Sequence, residues 1–363
     1  MFDLELTEEQ ELIRETVSSF ASEQIRPIAR DCDENGSIPD AVVQKGFELG
    51  LIQSAIPEQH GGFGEERSAV TGCIVAEELA CGDLSIALHL LSPRLVAYPL
   101  IDGGTDAQQA QYLPGFSEKF RAATAAVVEP RFDFDPACPD TTARQEDGSW
   151  VINGEKCFVP LAADADVLLV TANAGGRVAA FLVNRDTPGV TVREREKNMG
   201  IKALATHEVL LENVQVPLSA ELGEGSNFDL QRMTNQARLA LAALAVGVSR
   251  GAYEFALDYA KDRTAFGVAI AQKQAVAFML ADMAIEVDAA RLLLWEAAHK
   301  LDSGEDASRE CFLAKRYAAQ ACLKITDNAV QVLGGHGYIR DFPVELWLRN
   351  ARGFSSFEGM ALV

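Results

Sequence analysis

The sequence predicts an α+β chain, helical at both ends and built of strands between them. Three observations carry that expectation. From Leu6 to about Phe120 apolar residues recur at helical spacing, and between about Arg121 and Glu224 the period drops to two. From Asn227 onward the helical period returns in three long runs. The expected divisions are 1–120, an N-terminal α-helical domain; 121–225, a middle antiparallel β-barrel or sandwich; and 226–363, a C-terminal helical bundle.

The helical end opens on Thr7, followed by Glu8, Glu9 and Gln10, a capping box ahead of Leu12, Ile13, Val17 and Phe20. Pro27 marks a kink or break. A short helix is expected over Gly46 to Ile56 and a loop over Pro57 to Gly64, with further apolar helical runs at Ser68 to Ala80 and Ser85 to Ile101. Gly103-Gly104-Thr105-Asp106 stops one helix and caps the next, which ends at Pro114. In the middle, Asp147-Gly148 and Asn153-Gly154 both read as hairpin turns flanking a strand from Ser149 to Ile152. Other strands are expected at Val167 to Thr171, Val178 to Val183, Val190 to Arg193 and Glu208 to Val214.

Long helices are expected at Gln231 to Lys261, Ala271 to Leu301 and Ala307 to Leu333. Gly247 and Gly251 would let a partner helix approach the first of these closely. The third ends at Gly334-Gly335, where a positive φ is available. Asp341 then offers a cap oxygen and Pro343 a first-turn proline for another short helix. Beyond it, Glu358 sits in a small-residue loop between Phe357 and Gly359. That setting suits a carboxylate base held partly dry and closely approached by a substrate.

Composition narrows the function classes. Hydrophobic residues make up 48% and charged residues 23% of 363, enough to bury a large core. The net charge of -21 repels nucleic acid and anionic membranes, so an anionic ligand needs local positive contacts. Seven cysteines without a C-x-x-C pair or histidine cluster argue against a metal site and read as buried thiols in a reducing compartment. His60 and His89 stand singly and read as surface or packing residues. The start, MFDLELTEEQ, has neither a basic patch nor an apolar stretch, and Leu239 to Val248 is too short to cross a bilayer. A cytoplasmic chain is expected.

The end of the chain resembles the C-terminal signature of the acyl-CoA dehydrogenase family. Gln331-Val332-Leu333-Gly334-Gly335-His336-Gly337-Tyr338 matches its Q-x-L-G-G-x-G-[YF] run. Pro343-Val344-Glu345 matches P-V-E, and Phe357-Glu358-Gly359-Met360 resembles the [YF]-E-G-T loop. The L-T-E-E-Q lead-in, the P-E-x-x-G-G loop, the G-E-K motif and the L-E-N-V-x-V-P strand resemble the rest of the family's chain. The resemblance implies a helical, a β and a four-helix-bundle domain, with FAD as cofactor and an acyl-CoA as substrate. It also implies a dimer of dimers, either a homo-tetramer or a hetero-tetramer with a related subunit. Electron-transfer flavoprotein is the implied electron acceptor.

By the same resemblance Glu358 is the base that takes the α-proton while the β-hydride passes to the flavin. Arg263, Phe266 and Gln274 match the element that meets the FAD of a neighbouring subunit, and Gln331, Val332, Leu333, Gly334 and Gly335 the stretch that lies along it. Arg238 and Gly359 are implied at the substrate. Some relatives carry the base just before that arginine; here the position is Ala237, so Glu358 has no rival there. The family's T-E-P-x-A-G-S-D strand reads Val128-Glu129-Pro130-Arg131-Phe132-Asp133-Phe134-Asp135, and its [WF]-I-T run reads Phe158-Val159-Pro160. Ala265 and Met360 also replace hydroxyl residues. These losses open two alternatives: a chain that needs a sister subunit to complete its flavin site, and a flavin oxidase on the same scaffold.

Overall fold

Thr7 caps the first helix by accepting from the Gln10 N–H while the Gln10 side chain returns the bond, so the expected box forms. The computed structural model describes residues 5–225 and 228–363. Residues 1–4 and 226–227, on which the leader reading and the expected helix start at Asn227 partly rest, lie outside the described residues. The first region holds α1 (Glu8–Phe20), α2 (Ala29–Asn35), α3 (Asp40–Glu48), α4 (Ala69–Gly82), α5 (Leu84–Leu91), α6 (Arg94–Gly103), α7 (Asp106–Tyr112) and α8 (Pro114–Glu118). Strands β1 (Thr124–Ala126), β2 (Thr142–Glu146), β3 (Ser149–Pro160), β4 (Val167–Ala174), β5 (Arg177–Asn184), β6 (Val190–Arg195) and β7 (Thr206–Pro217) follow. The last region holds α9 (Leu230–Asp262), the hairpin β8 (Thr264–Ala265) and β9 (Val268–Ala269), then α10 (Gln274–Asp302), α11 (Ser308–Leu333), α12 (Gly335–Tyr338) and α13 (Val344–Ala351).

Several local expectations are corrected. No helix spans Gly46 to Ile56: α3 starts earlier, and the chain leaves it at Gly50, whose φ of 75° ends the helical path. The run from Ser85 to Ile101 is two helices, because Ser92-Pro93 interrupts it and Pro93 has no N–H to continue the ladder. Asp341 caps nothing; Pro343 itself occupies the cap position, and its carbonyl accepts from Leu346 and Trp347. Asn153-Gly154 is not a turn. β3 runs straight through it as a bulge because β7 pairs along its whole length, from Ser149↔Pro217 to Pro160↔Thr206. Thr141 packs so tightly on Gly154 that an added Cβ would lie 2.4 Å from its hydroxyl.

The seven strands form one sheet in the order β1-β4-β2-β3-β7-β6, with β5 on β4. The expectation of a purely antiparallel sheet is also corrected, since β1 and β2 both pair with β4 in parallel. Asp147-Gly148 does make the β2–β3 turn, with φ of 47° and 80°.

The core is organised around α9. Its apolar faces meet α11 and α10, and its third long neighbour is α4 from the N-terminal region, buried along nearly its whole length. Gly247 and Gly251 permit that contact. A Cβ on Gly247 would lie 2.2 Å from the Glu77 carbonyl, and one on Gly251 would lie 3.1 Å from that of Cys81. Arg250 then pairs with Glu77 and Glu78, and Arg291 of α10 with Glu77, fastening three helices together. Two stretches, 84–103 and 230–262, are apolar and long enough to cross a bilayer, but 89% and 78% of their apolar windows are buried inside this core. Gly247→Val should lower stability by about 3 kcal/mol, the top of the range for overpacking, measured by denaturant unfolding.

Candidate active site

Glu358 is placed by its neighbours. Phe357 is buried against Gly353, where a Cβ would collide at 2.0 Å, and meets Phe354 edge-to-face at 5.8 Å. Gly359 takes φ 61° with Val127 3.1 Å from its missing Cβ. With one neighbour pinned and the other turned, the Glu358 side chain faces a small cleft walled by Val127, Pro136, Thr171, Met233, Thr234 and Ala237. It is 24% exposed and accepts from Lys315 Nζ of α11, itself 13% exposed. Ala237, the position where some relatives are expected to carry the base, lines the same cleft as Glu358.

Arg238 follows Ala237 on α9, with its guanidinium 5.4 Å above Phe312, which lies one turn from Lys315 on α11. Its Nε is buried without a hydrogen-bond partner among the described residues. The cleft's back wall is held by a second ion pair. Lys156, fully buried in β3, donates to Glu129 at 2.9 Å, to the Val127 carbonyl at 3.2 Å and to Thr171 at 3.4 Å. Burial pushes the Lys156 amine down to about 8 against the pull of Glu129. Burial would raise the Glu129 carboxyl, but the Lys156 charge and bonds from Thr141 hold it below its ordinary value.

Residues 128–138, expected as a strand from the resemblance, form a loop that folds on itself between β1 and β2. Arg131 pairs with Asp140 and donates to the Cys138 carbonyl, both at 2.7 Å, and Asp135 accepts from Ala137. Phe132 is fully exposed, and Phe134 packs half-buried beside the β-sheet. The Phe158 N–H, at φ 52°, is taken by Glu196 at 3.2 Å.

The other predicted residues gather elsewhere. Arg263 ends α9, exposed, with no side-chain bond or ion pair among the described residues. Phe266 stands 96% exposed at the tip of the β8–β9 hairpin with Lys273 near its ring, and Gln274 begins α10, whose N-terminus has no side-chain cap. Gln331, Gly334 and Gly335 are exposed, while Val332 and Leu333 are buried. The Tyr259–His336 hydrogen bond at 2.7 Å ties this stretch to the end of α9. Between Ala237 and Arg263 runs about 39 Å of helix at 1.5 Å per residue. One chain therefore brings Glu358, Gly359 and Arg238 together at one end, and Arg263, Phe266, Gln274 and Gln331–Gly335 at the other.

Three family models together match most of the chain: "Acyl-CoA dehydrogenase, N-terminal domain" over residues 7–119, "Acyl-CoA dehydrogenase, middle domain" over 124–214 and "Acyl-CoA dehydrogenase, C-terminal domain" over 223–361. The chain belongs to the acyl-CoA dehydrogenase family. An acyl-CoA dehydrogenase of Bacillus subtilis (strain 168) is 33% identical, over 98% of this chain and 96% of the relative. Butyryl-CoA dehydrogenase from Megasphaera elsdenii has the same fold at TM-score 0.90 and 30% identity, covering 98% and 96% of the two chains. So does a chain from the study of the electron transferring flavoprotein of Acidaminococcus fermentans, with TM-score 0.90, 31% identity and the same coverages.

Acyl-CoA dehydrogenases are oxidoreductases that act on CH–CH bonds with FAD. The residues present fit that cofactor unevenly. An unpaired Arg263 beside an uncapped helix N-terminus suits a diphosphate. Val128, Phe134, Pro160 and Met360 are apolar where the resemblance implies hydroxyls, and Pro160 and Met360 are buried. Sequence reasoning missed Lys315, Thr171 and the inward-facing Lys156–Glu129 pair. Lys156→Met should destabilise the chain by about 3–5 kcal/mol by leaving Glu129 buried and unpaired, and adding Glu129→Leu should recover most of that, both read from unfolding midpoints.

Proposed function

We propose that this acyl-CoA dehydrogenase family member carries out α,β-dehydrogenation of an acyl-CoA thioester with Glu358 as the base. The observation that carries the reading is the position of Glu358, fixed by Phe357 and Gly359 in the cleft it shares with Ala237. Its carboxylate takes the α-proton, and apolar walls exclude competing water. Lys315 holds the carboxylate in place before substrate arrives, and Arg238 adds positive charge for an anionic ligand in a chain of net charge -21. FAD, when bound, supplies the acceptor for the β-hydride. Arg263 and the start of α10 would hold its diphosphate, and Phe266, Gln274 and Gln331–Gly335 would flank it. Electron-transfer flavoprotein is the proposed electron acceptor.

Because those two groups lie at opposite ends of α9, each complete site takes its parts from two chains. The exposed Phe278, Ile285 and Leu292 recur every seventh residue on α10 and support a helix-to-helix subunit contact within a homo-tetramer. The self-folded 128–138 loop favours a second reading, a hetero-tetramer in which a related subunit completes the flavin site. Purified alone, the chain should carry flavin absorbance that an acyl-CoA bleaches. A colourless chain that turns yellow only with a sister subunit would select the second reading. Glu358→Gln should keep the flavin and lose about 10²–10⁴-fold in turnover, measured as bleaching rate. Ile285→Glu should shift the assembly to smaller species in analytical ultracentrifugation and release flavin with it.

A further inference from the structure

The two oxygens of Glu358 stand in different settings. Oε1 accepts from Lys315 Nζ, whereas Oε2 accepts no hydrogen bond among the described residues and is not sealed from solvent. Lys315 in turn has Glu358 as its single hydrogen-bond and ion-pair partner among the described residues, with a side chain only 13% exposed. A cation so far covered gains from a counter-charge and is costly without one.

The partners also differ in rigidity. Lys315 stands on α11, where Cys311, Ala314 and Ala318 are buried in the helical core. Glu358 follows Ser355, after which the chain forms neither helix nor strand. Phe357 and Gly359 fix its backbone, but a glutamate side chain still has several rotamers open to it. The bond to Lys315 selects one of them. Lys315 is not among the residues that wall the cleft, so it reaches Glu358 from α11 and leaves Glu358 as the charged residue of those walls.

We infer that Lys315 is the positioning residue of the base: by binding Oε1 it presents Oε2 as the atom that takes the α-proton. This deepens, and rests on, the reading of Glu358 as base. In that step the α C–H bond breaks and its proton bonds to Oε2. The electron pair left on the acyl group becomes the new C–C π bond as the β-hydride leaves for the oxidant, FAD. Proton uptake at Oε2 leaves Oε1 as a carbonyl oxygen that still accepts from Lys315, whereas uptake at Oε1 would compete with that bond. The carboxyl group is therefore held in one orientation before and after the transfer, as a pre-organised base requires.

Single-turnover bleaching of the flavin-loaded assembly tests this, using butanoyl-CoA or dodecanoyl-CoA, whichever reacts faster with the unaltered protein. Lys315→Met should lower the limiting rate about 10²-fold, the scale of a small misplacement of a reacting group. Its flavin content should be unchanged and its half-saturating concentration within about threefold, because the bond serves the transfer and not binding. Lys315→Arg, which keeps a cationic donor, should restore most of the rate. Substrate deuterated at the α-carbon should slow Lys315→Met by a larger factor than the unaltered protein, an effect that lost packing alone does not produce. If circular dichroism shows Lys315→Met unfolded, Lys315→Gln takes its place, with a similar loss expected. An unchanged limiting rate, a loss confined to half-saturation, or a loss that Lys315→Arg does not relieve would overturn the inference, while a Glu358→Gln protein that has lost bleaching would leave the base assigned. Undiminished bleaching by Glu358→Gln would overturn the base and this inference together.

Discussion

The backbone of α9 touches the backbone of α4 at Gly247, and the rest of the molecule is set from that contact. No side chain separates the two helices there, so their crossing is fixed by peptide atoms that cannot change rotamer. The Arg250 and Arg291 pairs with Glu77 and Glu78 lock the rotation of the same helices. Once α9 is fixed, α10 and α11 pack along it and the sheet covers its beginning. The Glu358 loop lands beside Ala237 because α13 and the residues after it follow the surface that α9 and α11 make.

That geometry explains why charge is handled differently across the structure. Near the cleft, Lys315 touches Glu358, and Arg238 stands over Phe312, one turn from Lys315 on α11. Behind the wall, Lys156 and Glu129 neutralise each other in a dry setting where backbone N–H groups from Asp140 and Thr141 share the carboxylate. At the far end of α9, Arg263 has no side-chain partner among the described residues. In a chain of net charge -21, an exposed cation such as Arg263 stands out locally against a surface that is otherwise repulsive to anions.

Much of this arrangement was legible in the sequence where the deciding interaction is local. Thr7 and Thr105 cap helices through residues three positions away, and Gly247 and Gly251 are small for a reason visible one helix turn apart. Asn153-Gly154 misled because its conformation is decided by β7, more than fifty residues later, and by Thr141 pressing on Gly154. The place of Glu358 was legible from its flanking aromatic ring and glycine. Its partner was not, since Lys315 lies 43 residues earlier on a helix whose pattern gives no sign of which face meets the loop. Lys156 and Arg94 were hidden for a related reason: sequence patterning reads cations as solvated, and only the packed fold shows them buried.

The length of α9 has a genetic consequence. A lesion at the Glu358 end and a lesion at the Arg263 end damage different halves of the composite sites in the proposed assembly. Two defective alleles of this kind, expressed together, would pair an intact half from each product and mask one another, whereas two lesions at the same end would not.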